Sequence, residues 1–376
     1  MRRTSILASS LVSVALVVSG CGGSGGSAGP AATGDANGIA AAQKYLDSAS
    51  ANPSGIGISE PLSKVPEKGK YIILLLTSDP LSKVKSDAVA AAAKALGWKY
   101  ETIAVGATAE APQQAMQSAI AKHPDGIHFS GYPSSVFGTA IAAAQAAGIP
   151  LLTDSIIEDK SGPIISTALN NGAQAAQWGK TVAAQYIVDS KGVGHGATFT
   201  LTEYPNLVVW QEHLAQTVKE WCSGCTLTAV ATPASDIGTK MPGSVVSTIQ
   251  RDPKIKYAMF SIGDQTLGLA PALQAAGLDA TQVFGEAPSE ANIEAIKAGT
   301  ETAWTGFPTV ILGWRIADMW ARYFNGDDLV VAEKALLPLQ MINKGNIDRV
   351  VLTKQGGYYV GYADYEKAFK KLWRLN

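Results

Sequence analysis

The sequence predicts an α/β protein built from two doubly wound, parallel-sheet (Rossmann-like) lobes, and three observations carry that expectation. Short, continuous apolar runs alternate with Ala-rich helical segments, as expected where strands are buried on both faces between layers of helix. The alternation restarts midway, so two similar halves are written in series. Of the 376 residues, 47% are hydrophobic, 16% charged and only 7% aromatic, with 38 glycines; small residues at that frequency suit close packing of helices on sheets. At roughly 150 residues per domain, the length predicts about two domains, each able to bury its own core.

Residues 39–50 read as a short helix, and 53–70 as an extended connector punctuated by Pro and Gly. The apolar run 71–76 ends at Thr77-Ser78-Asp79-Pro80 and predicts the first strand. A helix follows over 83–96, with Gly97 as its C-terminal stop. The cycle continues through a strand at 99–105, a helix at 111–122, a strand at 126–129, a helix at 135–147 stopped by Gly148, and a strand at 150–153. Four such units in succession predict a doubly wound sheet. After Ile164-Ile165-Ser166-Thr167 the cycle restarts. Helices are expected at 171–190, 207–221, 243–251 and 266–276, interleaved with strands at 197–201, 226–231, 257–261 and 282–285. A helix at 289–298, a strand near 302–305, a helix at 310–324 and an extended piece at 336–342 follow. The tail, 358–376, ends in an amphipathic helix with Phe369 and Trp373 at i, i+4.

The charge balance excludes some functions. Lys and Arg number 30 against 31 Asp and Glu, a formal net charge of −1. A nucleic-acid binder needs a basic excess to neutralise phosphates, and a disordered chain has few apolar residues. Three cysteines are too few for a disulfide-built fold. Arg2 and Arg3 precede an apolar stretch from Ile6 to Val18, the pattern of a secretory leader over 1–20. That stretch falls short of the roughly 20 residues a membrane span requires. Cys21, after a small-residue pair, resembles the lipobox cysteine of bacterial lipoproteins, which is acylated and becomes the mature N-terminus. Residues 21–38, mostly Gly, Ser and Ala, have the composition of a flexible tether. The general and twin-arginine export routes both stay open.

Ala147-Gly148-Ile149-Pro150-Leu151-Leu152-Thr153-Asp154, Ile165-Ser166-Thr167, and Gly263-Asp264 followed by Ala272-Leu273-Gln274-Ala275-Ala276-Gly277-Leu278 occur in a telling order, as do Phe284-Gly285-Glu286 and Phe307-Pro308. In that order and spacing, over roughly 70–345, the chain resembles the type I periplasmic-binding-protein family, the ribose-binding type of solute receptor that serves ABC transporters. The resemblance implies two lobes joined by a three-stranded hinge, with crossings near Thr167, Phe307-Pro308 and 337–341. The first lobe would combine 65–166 with 308–337 and the second 167–307 with 338–357, preceded by an N-terminal helix and connector (39–64) and followed by a tail helix (358–376). A ligand would bind outside the carboxyl ends of both sheets and be enclosed by lobe closure.

The strand ends then name the expected ligand-binding residues: Ser78 and Asp79, Ser130 and Tyr132, Asp154 and Ser155, Tyr204 and Asn206, Asp264, Glu286 and Phe307, with Glu203 nearby and Trp210 on the cleft side of its helix. Polar side chains there hydrogen-bond hydroxyls, and aromatic faces stack on flat solutes. The bland alternative for any one of them is a turn former, such as Asp79 before Pro80. Sugar-binding relatives commonly carry an Asp-Arg pair after the fourth strand, an Asn-Asp pair before the sixth-strand helix and a Gln at the second crossing; this chain reads Asp154-Ser155, Gly263-Asp264 and Gly306-Phe307. An apolar or aromatic solute therefore stands beside a sugar as the expected ligand.

Cys222-Ser223-Gly224-Cys225 is expected to form a local disulfide; a redox dithiol would need a helix N-terminus, and this pair follows a helix end. Gly192-Val193-Gly194-His195-Gly196 precedes a strand, whereas a dinucleotide fingerprint follows one, so it reads as a turn. The four histidines show no metal spacing, and no cofactor is expected. Together these readings describe a monomeric, lipid-anchored receptor on the extracytoplasmic face of the cell membrane, not an enzyme, with a small solute and an ABC permease as partners and no nucleic acid. A same-fold sensor signalling to a membrane receptor remains the alternative. A lactose-repressor-type regulator would need a helix-turn-helix where this chain has its leader.

Overall fold

The computed structural model describes residues 34–355 and 357–375. Cys21, the leader and most of the expected tether lie outside them. The first lobe is built on β1 (Tyr71–Leu76), α2 (Pro80–Leu96), β2 (Lys99–Ala104), α3 (Ala111–Ile120), β3 (Gly126–Ser130), α4 (Ala140–Ala146), β4 (Leu151–Asp154) and β5 (Ile164–Leu169), preceded by α1 (Ala36–Ala49). The second follows with α5 (Gly172–Asp189), β6 (His195–Leu201), α6 (Pro205–Trp221), β7 (Thr226–Thr232), α7 (Met241–Arg251), β8 (Tyr257–Phe260), α8 (Leu269–Ala275), β9 (Gln282–Glu286), α9 (Glu290–Ala298) and β10 (Ala303–Thr305). Then come α10 (Thr309–Asn325), α11 (Val330–Lys334), β11 (Met341–Asn343) and α12 (Tyr365–Leu372).

The two sheets run β2-β1-β3-β4-β5 and β7-β6-β8-β9-β10-β11. Apart from β11, which pairs antiparallel with β10, the orders are identical and every pairing is parallel. The chain is thus an α/β protein of two doubly wound lobes. Strand β1 shows why: four of its six residues are buried, because helices cover both faces of the sheet.

Several local expectations are corrected. The expected tether overlaps α1, because the Asp35 carboxylate caps the backbone N–H groups of Asn37 and Gly38 and starts a helix there. Helix α2 begins three residues before the expected start, since Asp79 is its N-cap and Pro80 suits the first helical position. The helix expected at 135–147 is broken at Gly138, whose φ of 52° with ψ of −126° no helix accommodates, leaving a 3₁₀ turn and a short α4. Gly268, at φ 77°, divides the segment 266–276 in the same way. The stretch 164–167 does not open the second half but forms β5, the fifth strand of the first sheet. Of the piece 336–342 only 341–342 is strand, in β11, and the tail is helical only from Tyr365.

The chain passes between lobes at 170–171, between β5 and α5; at 306–308, between β10 and α10; and at 335–340, between α11 and β11. Two further passages come from the terminal segments. Helix α1 packs on α5 and α6 of the second lobe, so tightly that a Cβ at Gly38 would stand 1.7 Å from the Trp221 carbonyl oxygen. The connector after it crosses to the first lobe, where Glu60 O accepts from Arg322 of α10, which itself packs against α2. At the other end Tyr359 belongs to the core of the second lobe, whereas α12 lies on α10, with Trp373 stacked on Trp314 at 5.3 Å. Connector and tail then bond each other: Leu62 N–H donates to Leu372 O, and Arg374 Nε to Leu62 O.

Cys222 and Cys225 are disulfide-bonded, with Cα atoms 5.3 Å apart, closing the turn between α6 and β7. A loop this small restrains the unfolded chain only modestly, by about 2 kcal/mol. Reduction, or Cys222→Ser with Cys225→Ser, is expected to lower the melting temperature by a few degrees and leave the fold intact. Thiol titration of the oxidised protein should find neither cysteine free.

Candidate functional site

Facing carboxyl ends of the two sheets enclose a cavity of about 440 Å³, within the range usual for small-molecule sites. The first lobe contributes mainly polar groups: Ser78 and Asp79 after β1, Ser82 and Lys85 on α2, Ser130 and Tyr132 after β3, Ser155 after β4, and Asn170 after β5. The second contributes mainly apolar surface, including Leu201, Tyr204, Leu207, Ile237, Ile262 and Ala287, interrupted by Asn206, Asp264 and Glu286. Phe307, at a passage, lines the cavity edge-on to Trp178, with ring centroids 5.1 Å apart. The cavity therefore has a hydrogen-bonding face and an oily face.

Ten of the twelve expected ligand-binding residues line this space: Ser78, Asp79, Ser130, Tyr132, Ser155, Tyr204, Asn206, Asp264, Glu286 and Phe307. Two do not. Trp210 is fully buried on the inner face of α6, where Gly179 of α5 lets the helices approach; a Cβ at Gly179 would meet Trp210 O at 2.2 Å. Asp154 lies behind the wall, fully buried, and acts on the site through its neighbours. Glu203 also stays off the wall, accepting from Ala234 N–H at 3.0 Å. Lys85, Asn170 and Trp178 line the cavity without having been expected. A lysine in an amphipathic helix reads as solvated, and nothing local shows that α2 aims it inward.

The floor of the polar face is one network around Asp154. Lys85 Nζ lies 3.2 Å from Asp154 Oδ2, and the pair is only 8% and 0% exposed. Ser130 Oγ and Ser155 Oγ donate to Asp154 Oδ1 at 2.9 and 2.6 Å, Asn170 Nδ2 donates to Ser155 Oγ at 2.6 Å, and Lys85 also donates to Ser130. His128 Nε2 lies 2.9 Å from the same carboxylate. Burial alone would push the Asp154 carboxyl up, but the Lys85 ammonium and the His128 ring hold it well below the usual carboxylate range. Burial pushes the His128 ring down despite Asp154.

Asp79 caps α2 through Ser82 N–H at 2.8 Å and accepts from Thr77 Oγ1 at 2.7 Å. Burial opposes its ionisation, but these hydrogen bonds win and its carboxyl is lowered. Asp264 is raised, by burial and then by Asp79. It is held by the loop that Gln265 anchors to Ser261, Thr232 and the Phe199 carbonyl. Gly263 is required by packing, since a Cβ there would fall 2.1 Å from Asn292 Oδ1. Glu286 is 3% exposed and its Oε2 has no hydrogen-bond partner among the described residues. Burial alone pushes its carboxyl well above the ordinary range.

Among the described residues no group of three or more His, Cys, Asp or Glu is placed to hold a metal ion, and no helix is long and apolar enough to cross a membrane.

Two stability measurements check this electrostatic picture. Lys85→Met strands a buried carboxylate and is expected to cost about 3–5 kcal/mol in urea denaturation, part of it recovered when Asp154→Asn is added. A raised folded-state carboxyl makes Glu286 stabilising at low pH, with that contribution lost as pH rises from the ordinary glutamate value of about 4.3 towards its folded value. Glu286→Gln should therefore melt progressively higher than the wild type as pH is raised through that window; parallel melting curves would contradict the burial-driven shift.

The family profile described as "Periplasmic binding protein domain" matches residues 73–328. Among solved structures, an ABC transporter solute-binding protein from Mycobacterium smegmatis with bound glycerol is 17% identical at a TM-score of 0.66, covering 77% of this chain and 99% of its own. One from Agrobacterium vitis with bound allitol is 19% identical at 0.63, covering 75% and 98%. The 5-methylthioribose transporter solute-binding protein of Thermotoga lettingae, in complex with 5-methylthioribose, is 13% identical at 0.65, covering 84% and 100%. At these identities the likeness is one of fold. A search of curated protein sequences finds no match.

Proposed function

We infer the function from one established premise, that this chain belongs to the periplasmic binding protein domain family. It is a receptor that takes up a small solute between its lobes, releases it unchanged and delivers it to an ABC permease. Acylated Cys21 holds it at the extracytoplasmic face of the membrane. The observation that carries the reading is the cavity itself, bounded by strand ends of both lobes and lined by ten residues expected to contact a ligand. Ligand contacts made to both lobes at once favour the closed arrangement over any open one.

The division between a polar first-lobe face and an apolar second-lobe face narrows the solute. One edge carries hydroxyl or amine groups, for Ser130, Ser155 and Asn170 to meet, and the other is apolar, for Leu207, Ile237 and Phe307. Solved relatives hold glycerol, allitol and 5-methylthioribose. A simple sugar gripped by a bidentate arginine is disfavoured, since among the described residues no arginine lines the cavity.

A thermal-shift screen of the mature chain against sugars, polyols, aromatic acids, nucleosides and amines tests the proposal. A solute at a hundred times its Kd adds about 2.7 kcal/mol of stability, a shift of several degrees. Tyr204→Ala and Ser130→Ala are each expected to reduce that shift. A compound that shifts the wild type and both variants equally binds elsewhere, and chemical conversion of the recovered compound would replace receptor by enzyme.

A further inference from the structure

Both lobes end their fourth strand with a buried acid followed by a non-glycine residue in the left-handed region. Asp154 ends β4 before Ser155, at φ 61°, and Glu286 ends β9 before Ala287, at φ 52°. Because the sheets share one strand order, these are corresponding positions. The helices that follow the corresponding strands β1 and β6 also keep register: α2 starts at Pro80 and α6 at Pro205. Five residues beyond each proline stand Lys85 and Trp210.

The first lobe thus neutralises its strand-end acid with a lysine from α2, whereas the second carries an indole at the matching place and leaves Glu286 Oε2 without any partner. The acid is 97% withdrawn from solvent yet borders the cavity. Asp264 lies on the same lobe's wall and Asp79 faces in from the other. Among the described residues Lys85 is the one cationic side chain lining the cavity, and it is committed to Asp154. Burial favours the protonated form of Glu286, and a neutral solute would leave it so, whereas a cation beside it favours the carboxylate. An ammonium group supplies both the charge and N–H donors for the empty oxygen, and two tyrosines, Tyr132 and Tyr204, line the same cavity.

We propose that the solute bears a protonated amine which takes, opposite Glu286, the place that Lys85 holds opposite Asp154, making Glu286 the residue that selects an ammonium-bearing solute over its hydroxyl analogue. This rests on the receptor reading above and specifies the class of solute.

Matched pairs separate the two. D-Glucamine with D-glucitol, and tyramine with 2-(4-hydroxyphenyl)ethanol, differ by amine against hydroxyl; each is titrated calorimetrically into wild type and Glu286→Gln, together with the tightest compound from the wider screen and its exchanged analogue. The ammonium member of the binding pair is expected to be tighter by about tenfold or more, with Glu286→Gln removing most of that preference. Equal affinities within a pair, tighter neutral members, or a preference that survives Glu286→Gln would overturn the inference and leave the receptor standing. Failure of every compound in pairs and screen would count against both. A second readout does not depend on ligand: if Glu286→Gln lowers the melting temperature of the unliganded protein at neutral pH as Lys85→Met does, Glu286 has an internal partner and the inference falls.

Discussion

The cleft depends on a charge pair of which one member, Asp154, is fully buried and the other, Lys85, borders the cavity. Asp154 and Lys85 hold each other beneath the polar wall, and the hydroxyls of Ser130 and Ser155 are oriented because Asp154 accepts from both. A carboxylate so enclosed is tolerated only when paired and hydrogen-bonded. The polar face is therefore set by one residue that never touches solvent, and its geometry is inherited by the residues that line the cavity.

Comparison of the two lobes turns that pair into a reference. The same strand end in the second lobe also carries an acid, followed by the same unusual backbone conformation, but there Glu286 Oε2 finds no hydrogen-bond partner among the described residues. Unpaired buried acids weaken a fold, and residues kept in weakening conformations or environments concentrate where binding occurs. The asymmetry of the lobes is thus chemical rather than architectural: strand order, helix register and backbone conformation repeat, while the charge balance does not.

Much of the architecture was legible in the sequence. Apolar runs such as 71–76 have one physical meaning between Ala-rich helices, and the strand ends follow from them, which is why residues as distant as Ser78, Asp264 and Phe307 could be placed on one cleft. The misses have local causes. Strand β5 pairs with β4 through register shifts, and its partly exposed residues resemble a linker. From the sequence Trp210 reads as standing on the cleft side of its helix, but side-chain direction in a helix is set by packing partners, here the small face of α5 around Gly179. Lys85 was invisible for the same reason in reverse. Its signal lay in the spacing from Pro80, matched by Trp210 from Pro205, and becomes readable only when the two halves are laid over each other.

The terminal segments add two passages to those at 170–171, 306–308 and 335–340, and they meet on the first lobe through Leu62, Leu372 and Arg374. Five covalent connections between two bodies leave rotation available while forbidding separation. A single protease cut in any one of them leaves four intact, so a nicked molecule keeps its halves together and behaves in size and charge like the uncut chain until it is denatured.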